Sequence, residues 1–273
     1  MFRIKILLTL ILVVVLVTTS YAAATPSKGF RELNDELFDD WEICRTRASG
    51  NDGFYQITDT SFRPVIVYES LGQKASLAYR LGKQLAQEYP DPLQRAEMIF
   101  SFVRNKVRYA TDIDQFKLKE FAQNADELAA VIMQNGFGYG DCEDSTALLA
   151  VMYKAAGYRT AIAVAPGHTA TMVYLPAYRK TPVVFEIEGE PGWIWAEATG
   201  KTNPLGWAAK EFIGTEVATY EIGKETVVQT VPATKPSAAV SQTGGGGSSL
   251  PFPFFGVIGL LWFMSLFRKR RTR

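Results

Sequence analysis

The stretch that decides the fold is residues 138–157, which read GYGDCEDSTALLAVMYKAAG. Asp141 is a typical N-cap residue, and Asp144, three positions later, can complete a start that resembles a capping box. Beyond this turn the sequence is apolar almost all round, which predicts a helix that is buried on every side. Gly157 is typical of a position just past a helix C-terminus. We therefore expect Cys142 in the first turn of a buried central helix.

A cysteine at a helix N-terminus is a favourable nucleophile, because the unpaired backbone N–H groups stabilise its thiolate. The thiol also needs a base to take its proton and a third group to orient that base. His168 is the only histidine of the chain and follows a Pro-Gly pair at the start of a predicted strand. We predict that Cys142 is the nucleophile, His168 the base and Glu197 the orienting acid. Glu186 and Glu188 are the alternatives for the acid.

An enzyme that transfers acyl groups also needs hydrogen-bond donors for the oxyanion. The backbone N–H of Cys142 is one candidate, and Tyr139 or Gln134, both just upstream, is the candidate for a second donor. Trp195 shares a strand face with Glu197 by the period of two and is a candidate substrate contact. The sequence does not choose among these residues.

The order of the predicted elements, helices first and antiparallel strands after them, indicates the α+β class. The first helix is predicted from an apolar stripe of helical spacing that runs from Phe30 to Cys44. The third is predicted to begin with Asp91 as its N-cap and Pro92 as its first residue. Residues 109–114 are predicted to form a polar loop. The predicted helices span about residues 30–44, 70–89, 92–107, 124–134 and 141–156, and the strands about residues 160–165, 168–174, 183–188, 193–198 and 216–222.

The two ends of the chain differ in composition from this domain, which is predicted over residues 27–222. Residues 1–24 combine basic residues, a short apolar run and small residues, which predicts a secretory signal peptide, with an uncleaved anchor as the alternative. Residues 223–249 are rich in small residues and predict a flexible linker. Residues 250–267 are uncharged and predict a transmembrane helix, and the basic residues 268–273 after it predict a cytoplasmic tail. The domain is therefore expected outside the cytoplasm.

The charge distribution argues against nucleic acid as a partner. The chain has 29 basic and 28 acidic residues, but seven of the basic residues lie in the two terminal segments. The remaining chain is therefore acidic, whereas nucleic-acid-binding domains are typically basic.

The chain has two cysteines, and in an exported protein two cysteines first suggest a disulfide. A bond between Cys44 and Cys142 would remove the nucleophile. Cys44, however, lies on the apolar stripe of the first predicted helix, where a buried free thiol is the usual state. We predict that Cys44 is buried and free, with the disulfide as the alternative.

Three motifs resemble the transglutaminase-like superfamily, a group of cysteine enzymes related to papain. They are residues 140–144 (GDCED), residues 167–168 (GH) and residues 195–199 (WAEAT). The sequences of these motifs are most similar to those of the bacterial-type transglutaminase-like cysteine proteinases. The resemblance implies a papain/transglutaminase-like core in which the cysteine helix packs against an antiparallel sheet. The third catalytic residue of the family is usually Asp or Asn, and Glu197 departs from that pattern.

The resemblance also bears on metal binding, because acidic residues beside the cysteine bind calcium in some relatives. Asp141, Glu143, Asp112 and Asp114 have the hard oxygen ligands that such a site needs. Helix capping is the role that we expect of these carboxylates, with calcium binding as the alternative, and we expect no cofactor.

The resemblance implies acyl transfer through a thioester. We expect a membrane-tethered extracytoplasmic enzyme, a cysteine protease acting on a protein or peptide, held to the membrane by its C-terminal helix. One alternative is a transglutaminase that joins glutamine side chains to amines, and another is an inert surface module that binds its ligand in the same cleft. The tail also resembles a tripartite sorting signal, so a surface protein anchored after C-terminal processing is the alternative location.

Overall fold

The structure is a computed structural model that describes residues 27, 29–58, 61–70, 76–214, 217–223 and 237–242. The predicted signal peptide, transmembrane helix and basic tail lie outside these residues, as does most of the predicted linker. The helices are α1 (Val65–Glu69), α2 (Ser76–Glu88), α3 (Pro92–Lys106), α4 (Asp112–Phe116), α5 (Ala125–Asn135) and α6 (Cys142–Ala155). The strands are β1 (Phe30–Leu33), β2 (Glu36–Asp39), β3 (Cys44–Gly50), β4 (Gly53–Thr58), β5 (Ser61–Pro64), β6 (Val107–Tyr109), β7 (Gly138–Gly140), β8 (Thr160–Ala165), β9 (His168–Tyr174), β10 (Phe185–Ile187), β11 (Glu190–Ala196), β12 (Val217–Glu221) and β13 (Ser237–Gln242).

The helix predicted over residues 30–44 is wrong, because this segment forms strands of a sheet with the order β1-β2-β3-β4-β5. Asn34 and Asp35 form the two-residue turn between β1 and β2, with φ angles of 54° and 62°. Two positive φ angles in succession are the geometry of a hairpin turn that matches strand twist, and they are incompatible with a helix. The apolar residues have helix-like spacing because the turn interrupts the two-residue alternation of the strands on either side of it.

Local capping signals gave the helices their correct starts in the middle of the chain. Asp91 accepts a hydrogen bond from the backbone N–H of Gln94 at 2.8 Å, which confirms the predicted start of α3. Asn124 and Glu127 form a capping box at the start of α5, also as predicted. The predicted loop over residues 109–114 is wrong in part, since Thr111 caps the short helix α4 within it.

Helix α6 is the centre of the main hydrophobic core, and its residues from Glu143 to Tyr153 are all buried. Helices α2, α3 and α5 and strand β9 pack around it. Gly82 marks the closest approach of α2, because a Cβ atom at this position would lie 2.4 Å from the carbonyl oxygen of Met152. This packing confirms the prediction of a buried central helix that carries Cys142.

The second half of the chain forms a closed barrel with the order β10-β11-β9-β8-β12-β13, in which all pairs are antiparallel. The α+β prediction is therefore confirmed. Alanines of β8 and β9 and the rings of Trp193 and Trp195 fill a second core inside this sheet. Strand β13 comes from the segment predicted as linker and pairs with both β10 and β12, whose edges would otherwise be open. Within the described ranges, none of the helices is long and apolar enough to cross a membrane.

At Gly82, packing and helix propensity predict changes of opposite sign in the free energy of unfolding when alanine replaces glycine. Propensity alone favours alanine over glycine within a helix by about 0.5–1 kcal/mol. Because the new methyl group would overlap the backbone of α6, we expect Gly82→Ala to lower the free energy of unfolding by about 1–3 kcal/mol. Urea unfolding measures the difference. Gly29→Ala, which meets nothing within 4 Å, is the control, and a Gly82→Ala variant as stable as the parent would contradict the packing.

Candidate active site

Cys142 is the first residue of α6, directly after the N-cap Asp141, and its side chain is partly exposed. The sulfhydryl donates a hydrogen bond to Oε2 of Glu143 at 3.2 Å. Both cysteines are free, which confirms the prediction for Cys44, although Cys44 is buried at the start of β3 and not on a helix.

Strand β9 lies along the first turns of α6 and brings its own first residues beside the cysteine. Thr146 donates its hydroxyl to the carbonyl oxygen of Thr169 at 3.3 Å, and Thr171 donates to the carbonyl oxygen of Thr146 at 3.1 Å. The backbone of Thr169 also lies near the sulfur of Cys142 and favours its thiolate. His168 precedes Thr169, so the structure places the cysteine and the histidine on adjoining elements of one site.

His168 and Glu197 are hydrogen-bonded through Nε2 and Oε2. The other oxygen of Glu197 accepts from the backbone N–H of Thr199 at 3.1 Å and from its hydroxyl. Burial opposes ionisation of Glu197, but the bond and charge of His168 and the two bonds from Thr199 outweigh it and lower its pKa. Glu197 is therefore an ionised carboxylate that is fixed at one side of the imidazole. Glu186 and Glu188 lie earlier in the chain, on β10 and in the turn after it.

Phe212 was missed by the sequence reasoning and lies flat against the histidine. The rings of His168 and Phe212 are stacked at 5.4 Å with an interplanar angle of 5°, and the ring of Trp195 is also stacked on Phe212, at 5.5 Å. Trp195 is completely buried and supports this stack, and its role as a substrate contact stays a prediction. Phe212 ends a single 3-10 turn, Lys210–Phe212, and such a short turn carries no local signal that could have found it.

The two oxyanion candidates occupy different surroundings. Tyr139 lies on β7, just before the cysteine, with a side chain that is 45% exposed. Gln134 is exposed in the last turn of α5, and no hydrogen bond among the described residues joins it to Cys142 or His168. Tyr139 is therefore the better placed of the two.

Gln123 is a second residue that the sequence reasoning missed. Its backbone N–H and its amide nitrogen Nε2 donate to the two oxygens of Asp144, both at 2.7 Å, and Nε2 also donates to the carbonyl oxygen of Tyr139 at 3.0 Å. Asp144 in turn accepts from the backbone N–H of Asp141 at 3.3 Å. These bonds hold the segment before Cys142 against the first turn of α6.

A cluster of acidic side chains surrounds this turn, and among the described residues its ligand atoms lie within 4.8 Å of one another in three sets of three, one of which includes the sulfur of Cys142. The acidic members are Asp112, Glu120, Asp141, Glu143 and Asp144. Burial, followed by the charges of neighbouring carboxylates, raises the pKa of Asp112 and of Glu120 to about 7. Burial and then the charge of Asp141 raise the pKa of Glu143 and of Asp144 well above the usual value.

The cluster fits a hard divalent cation such as Ca²⁺. Oδ1 of Asp112, Oδ1 of Asp141 and Oε1 of Glu143 are buried and have no hydrogen-bond partner, whereas buried polar atoms nearly always have one. Both oxygens of Asp144 are already used by Gln123. Asp114 belongs to none of these sets, and its exposed side chain accepts from the hydroxyl of Thr111 at 2.8 Å, so its role as a ligand stays a prediction.

The same acids act on Cys142. Burial, followed by the charges of Glu143 and Asp141, raises the pKa of Cys142 well above the usual value for a thiol. The helix N-terminus favours the thiolate, but burial and the adjacent carboxylates outweigh it. The thiol therefore favours its protonated form.

Comparison with protein families identifies residues 79–209 with the transglutaminase-like superfamily. These residues form a transglutaminase-like domain. The transglutaminase-like domain contains Cys142, His168 and Glu197 and the whole acidic cluster, and it belongs to a superfamily that includes cysteine peptidases and transglutaminases. The resemblance to the superfamily is thus confirmed, while the closer likeness to the bacterial-type proteinases stays a prediction. A search of curated proteins finds no match to the chain.

The raised pKa values of the cluster predict how stability depends on pH in the absence of divalent cations. The pKa values of Asp112 and Glu120 rise from 3.8 and 4.5 to about 7 on folding. Between these limits the folded protein holds protons that the unfolded chain has released, so the free energy of unfolding should fall as the pH rises from about 4.5 through about 7. Each group contributes at most about 1.4 kcal/mol per pH unit.

Urea unfolding in a chelating buffer at a series of pH values measures this slope. Asp112→Asn keeps an oxygen for the backbone N–H of Phe121 and should flatten the slope. Asp114→Asn is the matched control and should leave it unchanged. Equal slopes for the parent and Asp112→Asn would contradict the assignment.

Proposed function

We propose that the protein is a membrane-tethered, extracytoplasmic cysteine enzyme that transfers acyl groups through a thioester and hydrolyses a peptide bond of a protein or peptide. The observation that carries the proposal is the hydrogen bond between His168 and Glu197 at the start of β9, which packs on the first turn of the helix that begins at Cys142. Its setting in a transglutaminase-like domain supports the chemistry.

The first half of the reaction forms the thioester. His168 takes the proton from the sulfur of Cys142, and the sulfur attacks the carbonyl carbon of the substrate. The backbone N–H of Cys142 stabilises the oxyanion at the helix N-terminus. His168 then gives its proton to the leaving amine as the C–N bond breaks. Glu197 stabilises the imidazolium and keeps the ring oriented throughout, because its second oxygen is fixed by Thr199.

The second half releases the acyl group. His168 takes a proton from water, the hydroxide attacks the thioester, and the sulfur leaves with the proton that the imidazolium returns. An amine in place of water gives transamidation, the reaction of a cross-linking transglutaminase. The acylation half is the same in both cases, so the nature of the acceptor separates the two functions.

A divalent cation is part of the proposal. Asp112, Glu120, Asp141 and Glu143 would hold it, and its positive charge would offset the carboxylates that keep the thiol protonated. Without the cation, the bond from Cys142 to Glu143 keeps the sulfhydryl neutral. This last observation favours the second candidate, a binding module without activity.

The location is supported by the composition of the chain ends. Residues 1–24 have the pattern of a secretory signal, and residues 250–273 combine an uncharged stretch with a basic end. In the alternative, the C-terminal segment is removed during sorting and the domain is anchored at the cell surface in another way.

Turnover of a peptide library, read by mass spectrometry, tests the function. The protein should release cleaved peptides, Cys142→Ser should release none, and His168→Ala should be slower by about 10²–10⁴-fold. Intact cells should cleave added peptides as well as lysed cells do if the domain faces outward. Incorporation of a fluorescent amine into glutamine peptides in preference to cleavage would indicate a transglutaminase. A protein that neither cleaves peptides nor incorporates the amine would refute the proposal in favour of the binding module.

Calcium binding is tested by thermal unfolding and by the rate at which iodoacetamide alkylates Cys142. Calcium at about 100 times its dissociation constant should add about 2.7 kcal/mol to the free energy of unfolding. It should also speed alkylation relative to a chelating buffer, because it offsets the charges beside the thiol. Glu120→Gln should weaken both effects, and Asp114→Asn should keep both. An unfolding temperature that does not change when calcium is added would show that the protein has no such site.

A further inference from the structure

Thr169 is the residue at which β4, α6 and β9 meet. Its side-chain oxygen accepts a hydrogen bond from the hydroxyl of Tyr55 at 2.8 Å, and its carbonyl oxygen accepts from the hydroxyl of Thr146 at 3.3 Å. Its backbone also lies near the sulfur of Cys142 and favours the thiolate. The hydroxyl and the carbonyl of this buried threonine are therefore held by two different elements, beside Cys142.

Tyr55 reaches this point from the N-terminal sheet. Its ring is buried on β4 and packs against Phe54 and Phe62, with ring centroids 4.8 Å and 5.8 Å away. Burial, followed by the charges of Glu143 and Cys142, raises the pKa of Tyr55 well above its usual value. The hydroxyl therefore keeps its proton and acts as a donor, and the packed ring fixes its direction.

The first two residues of β9 are held from opposite sides. Successive side chains of a strand point to opposite faces, so His168 and Thr169 diverge. On one face Glu197 and Phe212 hold the imidazole. On the other face Tyr55 holds the threonine. Removing either support frees the strand start on one side only.

We propose that Tyr55 is a positioning residue of the active site, which acts through Thr169 to hold the start of β9, with His168, in place against Cys142. This inference rests on the proposed function. It makes the N-terminal sheet part of the catalytic unit, although the sheet precedes residues 79–209. A substrate need not touch Tyr55 for this role.

Steady-state kinetics on a cleaved peptide and the alkylation rate of Cys142 at one fixed pH test the inference. Tyr55→Phe keeps the packed ring and removes only the hydroxyl. It should lower kcat by about two- to tenfold, the effect expected for one hydrogen bond, with KM unchanged. Thr169→Val, which removes the acceptor, should have the same effect, and Thr169→Ser, which keeps it, should restore the parent values. The double variant Tyr55→Phe/Thr169→Val should be no slower than either single variant.

Tyr153→Phe is the matched control, because it also removes a buried tyrosine hydroxyl, one that donates to the carbonyl oxygen of Ala96 at 3.0 Å farther along α6. It should lose comparable stability and keep its kcat and its alkylation rate. The inference fails if Tyr55→Phe changes kcat no more than Tyr153→Phe does, or if Thr169→Ser behaves like Thr169→Val. A parent protein without turnover would overturn the proposed function, while the alkylation rates would still decide the role of Tyr55.

Discussion

The structure depends on one constraint, the burial of the first turn of α6 together with its charged side chains. Glu143 and Asp144 are both buried in this turn, beside Cys142. Burying a carboxylate is costly unless it is hydrogen-bonded or paired. The surrounding elements therefore have to supply donors, protons or a cation, and much of the remaining architecture does this.

Asp144 shows how donors are supplied from a distance. Gln123 binds both of its oxygens, and the residue before it, Ala122, is joined to Arg45 by backbone and side-chain bonds of 2.9 Å and 2.7 Å. Arg45 is itself completely buried and paired with Asp39 and with Glu127, the capping-box residue of α5. The N-terminal sheet is thus connected through buried, paired charges to the turn that carries Cys142. Removing one partner from such a network lowers the free energy of unfolding by far more than the intact pair contributes to it, because an unpaired buried charge is left behind.

The predictions that succeeded were those with a local cause. The starts of α3, α5 and α6 depend on a capping side chain and a backbone N–H only a few positions apart. The failures were those in which a distant or competing interaction decided the outcome. The apolar stripe ending at Cys44 suited a helix, but the turn at Asn34 and Asp35 and pairing with later strands made it a sheet. The segment of small residues that forms β13 has no pattern of its own and becomes a strand because β10 and β12 offer it two edges.

The sequence by itself determined the position of Cys142 at the start of a buried helix and the α+β class, and it left His168 as the single candidate for an imidazole base, since the chain has no other histidine. These follow from spacing and composition, which act over a few residues. Only the tertiary structure decided that Tyr55, Gln123 and Phe212 support the site and that Glu120 joins the acidic cluster in place of Asp114. Those contacts join residues far apart in the chain, and long-range packing leaves no periodic or capping signal in the sequence.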